Sequence, residues 1–109
     1  MDLGLKGKNV IVSGGTHGIG LAIALGFADQ GCNVAVCSRT QERVNSTIKK
    51  IKSKKVKCIG GVVDVLSHEN ISKFCDHVFE HWNTVDILVN NVGGGGRWGD
   101  ESVIKTDLS

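Results

Sequence analysis

Apolar residues occur in four short runs, and longer stretches of mixed polarity separate these runs. The runs that predict β-strands are residues 9–13, 33–37, 56–63 and 86–90. Each run is continuous rather than alternating, which is typical of parallel strands covered on both faces. Helical patterns fill the three intervals. This alternation predicts an α/β fold, a doubly wound parallel sheet that is incomplete, with about four strands and flanking helices.

Each helical interval carries apolar residues at steps of three and four positions, which predicts one buried stripe per helix. Thr40 and Ser67 precede the second and third helices and are good N-caps. The stripe residues are Gly20, Ile23, Ala24, Phe27 and Ala28 in the first helix, Val44, Ile48 and Ile51 in the second, and Ile71, Phe74, Cys75, Val78 and Trp82 in the third. Residues 97–109 are interpreted as a loop that enters a helix near Glu101.

Composition narrows the classes of function. At 109 residues, with 40% apolar and 22% charged residues, the chain is typical of one soluble globular domain at most. A net charge of +2 is too small to indicate nucleic acid as a partner. There is no apolar run of about 18 residues to predict a membrane span, and residues 1–9 lack the hydrophobic segment of a signal peptide. We therefore expect a cytoplasmic protein without nucleic-acid or membrane partners.

Two clusters of reactive or charged residues have ordinary explanations. The four cysteines form no Cys-x-x-Cys pair, so we expect reduced and mostly buried thiols. Six of the nine residues in 49–57 are lysine. Because no aromatic residue interleaves them, this segment is interpreted as a solvated helix end rather than a nucleic-acid surface.

A third cluster has the spacing of a metal-binding motif. Residues 77–81 read His-Val-Phe-Glu-His, which matches the H-x-x-E-H signature of some zinc proteases. Two histidines four positions apart on a helix can share a metal. These two lie on the polar flank, away from the stripe, and the sequence nominates no third ligand. We interpret them as surface residues and expect no metal site.

The stretch Ser-Gly-Gly-Thr-His-Gly-Ile-Gly, residues 13–20, joins the first strand to the first helix. A glycine-rich turn there exposes backbone N–H groups at the positive end of the helix dipole, which suits a phosphate group. Its Gly-x-x-x-Gly-x-Gly spacing is neither the general dinucleotide fingerprint nor a P-loop. The alternative to a phosphate-binding turn is a glycine-rich turn that binds no ligand. The candidate ligand-binding residues in this turn are Gly14, Thr16, His17, Gly18, Ile19 and Gly20.

Three further strand ends carry polar residues, at the sheet edge where ligands bind in open α/β folds. Arg39 follows the second strand and can pair with the 2′-phosphate of NADP(H). His17 either adds to that phosphate site or is an exposed turn residue. Asp64 follows the third strand and either accepts a hydrogen bond from adenine or serves as a loop or cap residue. After the fourth strand, Asn91 can tie adjacent loops together, and Gly93 lets a cofactor approach the backbone.

Together these motifs resemble the N-terminal half of the short-chain dehydrogenase/reductase family. Residues 13–20 match its Thr-Gly-x-x-x-Gly-x-Gly turn, with serine in place of threonine. Asp64 and Val65 match its adenine-site pair, and residues 90–93 match its Asn-Asn-Ala-Gly, with valine at 92. The resemblance implies a Rossmann-type domain and hydride transfer between a nicotinamide and a carbonyl or secondary alcohol. Arg39 favours NADP(H) over NAD(H).

The same resemblance implies that the catalytic half is absent from residues 1–109. Members of the family resemble one another in a Tyr-x-x-x-Lys pair, and this sequence contains no tyrosine. We therefore identify no catalytic residue and expect a partial NAD(P)-binding domain that is inactive by itself. The alternative is a non-catalytic half-domain that binds nucleotide, or that forms a homo-oligomer through an unpaired edge of the fourth strand. A methyltransferase would leave Arg39 and residues 90–93 unexplained.

Overall fold

The computed structural model describes residues 4–14, 16, 18–64, 66–91 and 103–106, the last four as backbone. In chain order the elements are β1 (Asn9–Ser13), α1 (Gly18–Asp29), β2 (Asn33–Ser38), α2 (Gln41–Lys52), β3 (Cys58–Val62), α3 (His68–Trp82), β4 (Ile87–Asn90) and β5 (Val103–Thr106). The predicted α/β fold with flanking helices is confirmed. β3 is shorter than predicted, and α1 begins at the last part of the glycine turn.

The five strands form one sheet in the order β3-β2-β1-β4-β5. The four strands β1 to β4 are parallel, and β1 pairs with both β2 and β4. In this register Ser13 lies opposite Cys37 on one side and Asn90 on the other. The ends of these strands therefore meet along one border of the sheet, which we call the carboxyl edge.

The interpretation of residues 97–109 as a loop that enters a helix is wrong for the part that forms β5. Instead of entering a helix after Glu101, which lies outside the described residues, Val103–Thr106 pairs antiparallel with β4, Asn90 opposite Val103 and Ile87 opposite Thr106. Valine, isoleucine and threonine favour strands, and the border of β4 offers backbone groups that need partners. The border that was expected to be unpaired is therefore covered by a segment of the same chain.

The sheet separates two apolar cores. α1 and α2 cover one face, where the buried residues are Val10, Val12, Ala24, Ala28, Cys32, Val34, Val36, Ile51 and Val89. α3 covers the other face, where the buried residues are Ile11, Ala35, Cys37, Phe74 and Val78. Successive residues of β1 and β2 thus face different cores, which explains their continuous apolar pattern. Every residue predicted for the helix stripes is buried or partly buried.

Two glycines in β3 allow helices to pack closely on both of its faces. A Cβ atom at Gly60 would lie 2.7 Å from Cγ1 of Val44 in α2. A Cβ atom at Gly61 would lie 2.6 Å from Cε1 of Phe74 in α3. Because real Cβ contacts are longer than this, larger residues at either position would push a helix away from the sheet.

Hydrogen bonds join four segments at the opposite border of the sheet, where the parallel strands begin. We call Asn9, Asn33, Thr84 and Asp86 the amino-edge network. Nδ2 of Asn9 donates to O and Oγ1 of Thr84 at 3.1 and 2.8 Å, and N of Asn9 donates to Oδ2 of Asp86 at 2.8 Å. Nδ2 of Asn33 donates to Oδ1 of Asn9 at 2.9 Å, and Oδ1 of Asn33 accepts from N of Lys57 at 3.0 Å. The network therefore connects the starts of β4, β1, β2 and β3.

The lysine-rich segment lies at the surface. All six lysines in 49–57 are exposed, which agrees with a solvated helix end. Nζ of Lys54 lies 2.8 Å from Oδ1 of Asp29 in α1. None of the helices among the described residues is long and apolar enough to cross a membrane.

The four cysteines are free thiols, as the sequence predicts. Cys32 and Cys37 are buried, whereas Cys58 and Cys75 are partly buried. Burial raises the pKa of Cys37 and of Cys58 to about 11, because a thiolate is poorly solvated there.

Stability should therefore fall as the pH rises from 9.0 to about 11. The unfolded chain loses thiol protons near pH 9.0, whereas the folded chain retains those of Cys37 and Cys58 until about pH 11. Each thiol then lowers the free energy of unfolding by about 1 kcal/mol per pH unit in this interval. No phenol contributes, since the chain has no tyrosine. In urea unfolding, the free energy of unfolding should fall less steeply with pH in Cys37→Ala than in the unmodified chain. Equal slopes in the two proteins would contradict the raised pKa of Cys37.

Candidate functional site

The turn between β1 and α1 is packed against the loop that follows β4. Gly14 has a φ of +69°, and a Cβ atom there would lie 2.5 Å from the backbone O of Asn91. A Cβ atom at Gly20 would overlap the backbone O of Gly14 and Nδ2 of Asn91. Positive φ and such close contacts both require glycine. The spacing of these two glycines therefore reflects how closely the turn, α1 and Asn91 fit together.

Hydrogen bonds hold the start of this turn on both sides. Oγ of Ser13 donates to Oδ1 of Asn90 at 3.0 Å. The backbone N of Gly14 donates to O of Cys37 at 3.0 Å. The serine that replaces threonine thus has a structural role for its hydroxyl group. The sequence interpretation gave Asn90 no role of its own beyond its place in the 90–93 motif, and the structure shows that its amide holds Ser13.

The first turn of α1 can receive an anion. Gly18 and Ile19 are exposed, the latter with 72% of its surface accessible, whereas Thr16 is buried. The first turn contains no acidic side chain that would neutralise the positive end of the helix dipole. The dipole and the N–H groups of this first turn favour a phosphate at this position.

Arg39 lies at the surface directly after β2. Within the part of the chain that the structure describes, no carboxylate forms an ion pair with it. The neighbouring N-cap residue, Thr40, makes no side-chain capping bond, and its backbone N donates to Oγ of Ser38 at 3.3 Å. The guanidinium group is therefore available to a ligand at this border of the sheet.

Asp64 shows the loop role that the sequence left open. Its Oδ1 accepts a hydrogen bond from N of Leu66 at 3.0 Å, and its O accepts one from N of Ser67 at 3.0 Å. Oγ of Ser67 in turn accepts from N of Asn70, which caps α3. The carboxylate is exposed, so its second oxygen can still accept a hydrogen bond from a ligand.

The structure brings most of the predicted residues to the carboxyl edge. Gly14 and Gly20 contact Asn91 directly. Arg39 and Asp64 follow adjacent strands, which remain joined beyond their last pair by a bond from N of Val63 to O of Ser38 at 2.9 Å. The remaining predicted residues, which lie outside the described part of the chain, are His17, Val65 and Gly93.

Comparison with known proteins identifies the family. The sequence profile described as short chain dehydrogenase matches residues 8–107. A short-chain dehydrogenase/reductase of Colletotrichum higginsianum is 30% identical over 105 residues, which are 96% of this chain and 39% of that relative.

Solved structures agree with the sequence match. L-sorbose reductase from Gluconobacter frateurii, complexed with NADPH and L-sorbose, matches with a TM-score of 0.81 and 36% identity over 87% of this chain. NAD⁺-bound xylitol dehydrogenase matches with a TM-score of 0.77 and 31% identity over 82% of this chain. The chain spans 36% and 34% of these two proteins, respectively. The chain belongs to the short-chain dehydrogenase/reductase family.

Proposed function

We propose that residues 1–109 form the NADP(H)-binding portion of an oxidoreductase that moves hydride between a nicotinamide and a carbonyl or secondary alcohol. The observation that carries this proposal is the close packing of Gly14 and Gly20 against Asn91, beside the uncompensated start of α1. This packing fixes the turn against the start of α1, and at Gly18, where a Cβ atom would meet nothing within 4 Å, the backbone is open to an approaching pyrophosphate. The cofactor, when bound, supplies the hydride chemistry.

Each predicted residue has a distinct part in this proposal. The pyrophosphate is held by the first turn of α1, with Thr16, His17, Gly18 and Ile19 around it. Arg39 pairs with the 2′-phosphate. Asp64 and Val65 hold the adenine.

Asn91 and Gly93 complete the site after β4. Asn91 keeps the glycine turn in place through its contacts with Gly14 and Gly20. Gly93 gives the cofactor room beside the backbone. Because these residues follow neighbouring strands, one extended dinucleotide can reach all of them.

The preference for NADP(H) depends on Arg39. The two solved relatives bind different cofactors, NADPH in L-sorbose reductase and NAD⁺ in xylitol dehydrogenase. Family membership alone therefore does not choose between them. Arg39 is exposed and unpaired among the described residues, and the two residues before it, Cys37 and Ser38, carry no acid that would bond a 2′-hydroxyl.

Arg39→Asp should weaken NADPH binding by about 10- to 100-fold, because it removes a charge-assisted hydrogen bond of about 1.5–3 kcal/mol and adds repulsion. NADH binding should be unchanged or tighter, since aspartate can accept from the 2′-hydroxyl. Fluorescence titration with each cofactor measures both affinities. Arg43→Asp is the matched control, with the same charge change on an exposed residue of α2. An NADPH affinity that falls equally in both variants would overturn the role of Arg39.

Residues 1–109 should bind cofactor weakly and should show no turnover. The sequence contains no tyrosine, so the proton relay of the family's Tyr-x-x-x-Lys pair has no donor here. We expect no oxidation of NADPH by purified 1–109 in the presence of aldehydes and ketones. Carbonyl reduction above the level of the buffer would overturn this part of the proposal.

The alternative is a half-domain that binds nucleotide or associates with itself without catalysis. Association through β4 is disfavoured because β5 covers that border, and a dimer in size-exclusion chromatography would point to another surface. A cytoplasmic location is part of the main proposal, and the four free thiols fit a reducing compartment.

A further inference from the structure

His77 and His81 form a pair on the surface of α3. Both residues are exposed and lie one helical turn apart. Their ring centroids are 4.4 Å apart, with the ring planes tilted by 55°. Two imidazole groups are therefore adjacent and open to solvent.

A backbone contact leaves the second nitrogen of His81 available. Nδ1 of His81 lies 3.0 Å from the backbone O of His77. Because a carbonyl oxygen only accepts, Nδ1 carries the hydrogen and the lone pair of the neutral ring is on Nε2. The same kind of bond from the other ring nitrogen orients histidines that bind metals. His81 is thus held in a tautomer whose Nε2 lone pair can bind a metal.

The surroundings favour a cation. α3 ends at Trp82, so the pair lies in the last two turns, close to the negative end of the helix dipole. Asp76 and Glu80 are exposed beside the histidines. The lysine of α3, Lys73, lies one turn earlier and pairs with Glu69 at 3.4 Å.

The helix that carries the pair is well supported. Phe74 and Val78 are buried against the sheet, and Oγ of Ser67 caps the start of α3. At its other end Asn83 adopts a left-handed conformation with a φ of 64°, and its N bonds to O of Phe79 at 2.7 Å. A site on a supported helix keeps its ligands in place.

We propose that His77 and His81 bind a transition-metal ion of the class that prefers imidazole, such as Ni²⁺ or Zn²⁺. Among the described residues no group of three or more His, Cys, Asp or Glu could hold a metal. The described residues therefore supply two ligands, water fills the other positions, and the ion is exchangeable. The sequence interpretation, surface residues without a metal, is the outcome against which this proposal is tested.

The site is separate from the carboxyl edge. α3 begins after the end of β3 and runs back to the start of β4, so its last turns lie towards the amino edge of the sheet. A metal bound there would not contact the proposed cofactor. Ni²⁺ and NADPH should therefore bind independently.

Isothermal titration of Ni²⁺ into the full chain tests the proposal. We expect one ion per chain, and an affinity at least about tenfold lower in His77→Gln and in His81→Gln, since loss of even a supporting partner costs this much. His68→Gln is the matched control, because His68 is exposed on the same helix but has Ser72 rather than histidine four positions later. Its affinity should equal that of the unmodified chain.

Absence of Ni²⁺ binding, or equal binding by the unmodified chain and His77→Gln, would overturn the proposal. Nuclear magnetic resonance of the unmodified chain gives a second measurement that needs no variant. Paramagnetic Ni²⁺ should broaden the amide signals of residues 77–81 first. Broadening centred on any other segment would also overturn it.

Discussion

Gly20→Ala should abolish detectable NADPH binding and lower the free energy of unfolding by about 3 kcal/mol, the upper range for overpacking. The added methyl group would overlap the backbone O of Gly14 and Nδ2 of Asn91. A flexible side chain could move aside, but a backbone carbonyl can move only with the turn itself. The variant would therefore displace the segment to which the pyrophosphate is proposed to bind.

The matched control for this substitution is Gly26→Ala. Gly26 lies in the same helix, and a Cβ atom there would meet nothing within 4 Å. Alanine should stabilise the helix at this position by about 0.5–1 kcal/mol and leave NADPH binding unchanged. Urea unfolding and cofactor titration of both variants give the comparison. Full NADPH affinity in Gly20→Ala would rule out the proposed role of the turn.

Asn9→Ala should lower the free energy of unfolding by about 3 kcal/mol, because it removes three side-chain hydrogen bonds of roughly 1 kcal/mol each and leaves their partners unpaired. The lost bonds are two to Thr84 and one from Asn33. Only 8% of the surface of Asn9 is exposed, so water cannot readily replace them. Urea unfolding followed by circular dichroism measures the loss.

Gln41→Ala is the control for Asn9→Ala, because it also removes a side-chain amide that donates a hydrogen bond, but outside the amino-edge network. Nε2 of Gln41 donates to Oδ1 of Asn45 at 2.8 Å, but this bond is exposed to solvent. Its removal should change the free energy of unfolding by no more than about 0.5 kcal/mol. If both variants lost the same stability, the amino-edge network would have no special importance.

Local patterns predicted the central strands and the helices well. β1 begins and ends where its apolar run does, and α2 begins directly after its N-cap residue, Thr40. These elements depend on residues that are close in the sequence, namely a continuous apolar run and a helical stripe, and α2 forms there although Thr40 makes no side-chain capping bond. Because β1 and β2 are buried on both faces, their apolar runs are continuous, which is the pattern expected of central parallel strands.

Features that depend on distant residues were not predicted. The segment Val103–Thr106 contains both apolar and charged residues, and its pairing with β4 decides its structure. No local pattern indicated a role for Asn9, and its partner Thr84 lies 75 positions away. No local pattern contains such a partner, because hydrogen-bond geometry depends on the strand register.

In the candidate site, too, the features that local patterns define were predicted and the contacts between distant residues were not. The sequence predicted that Gly14, Gly20 and Asn91 would share an edge of the sheet, because parallel strands end there. It did not predict that Asn91 would touch both glycines, which requires the register between β1 and β4. Nor did it decide the role of Asp64, whose Oδ1 is engaged by Leu66 in the structure.

The amino-edge network has a consequence for how this domain can evolve. The bonds of Asn9 and Asn33 hold the strands together at one border of the sheet, while Arg39 projects from the other border and holds no described neighbour in place. Substitutions at Arg39 should therefore be tolerated by the fold. Under the role proposed for Arg39, cofactor preference can therefore change by substitution at this position with little cost to the stability of the sheet.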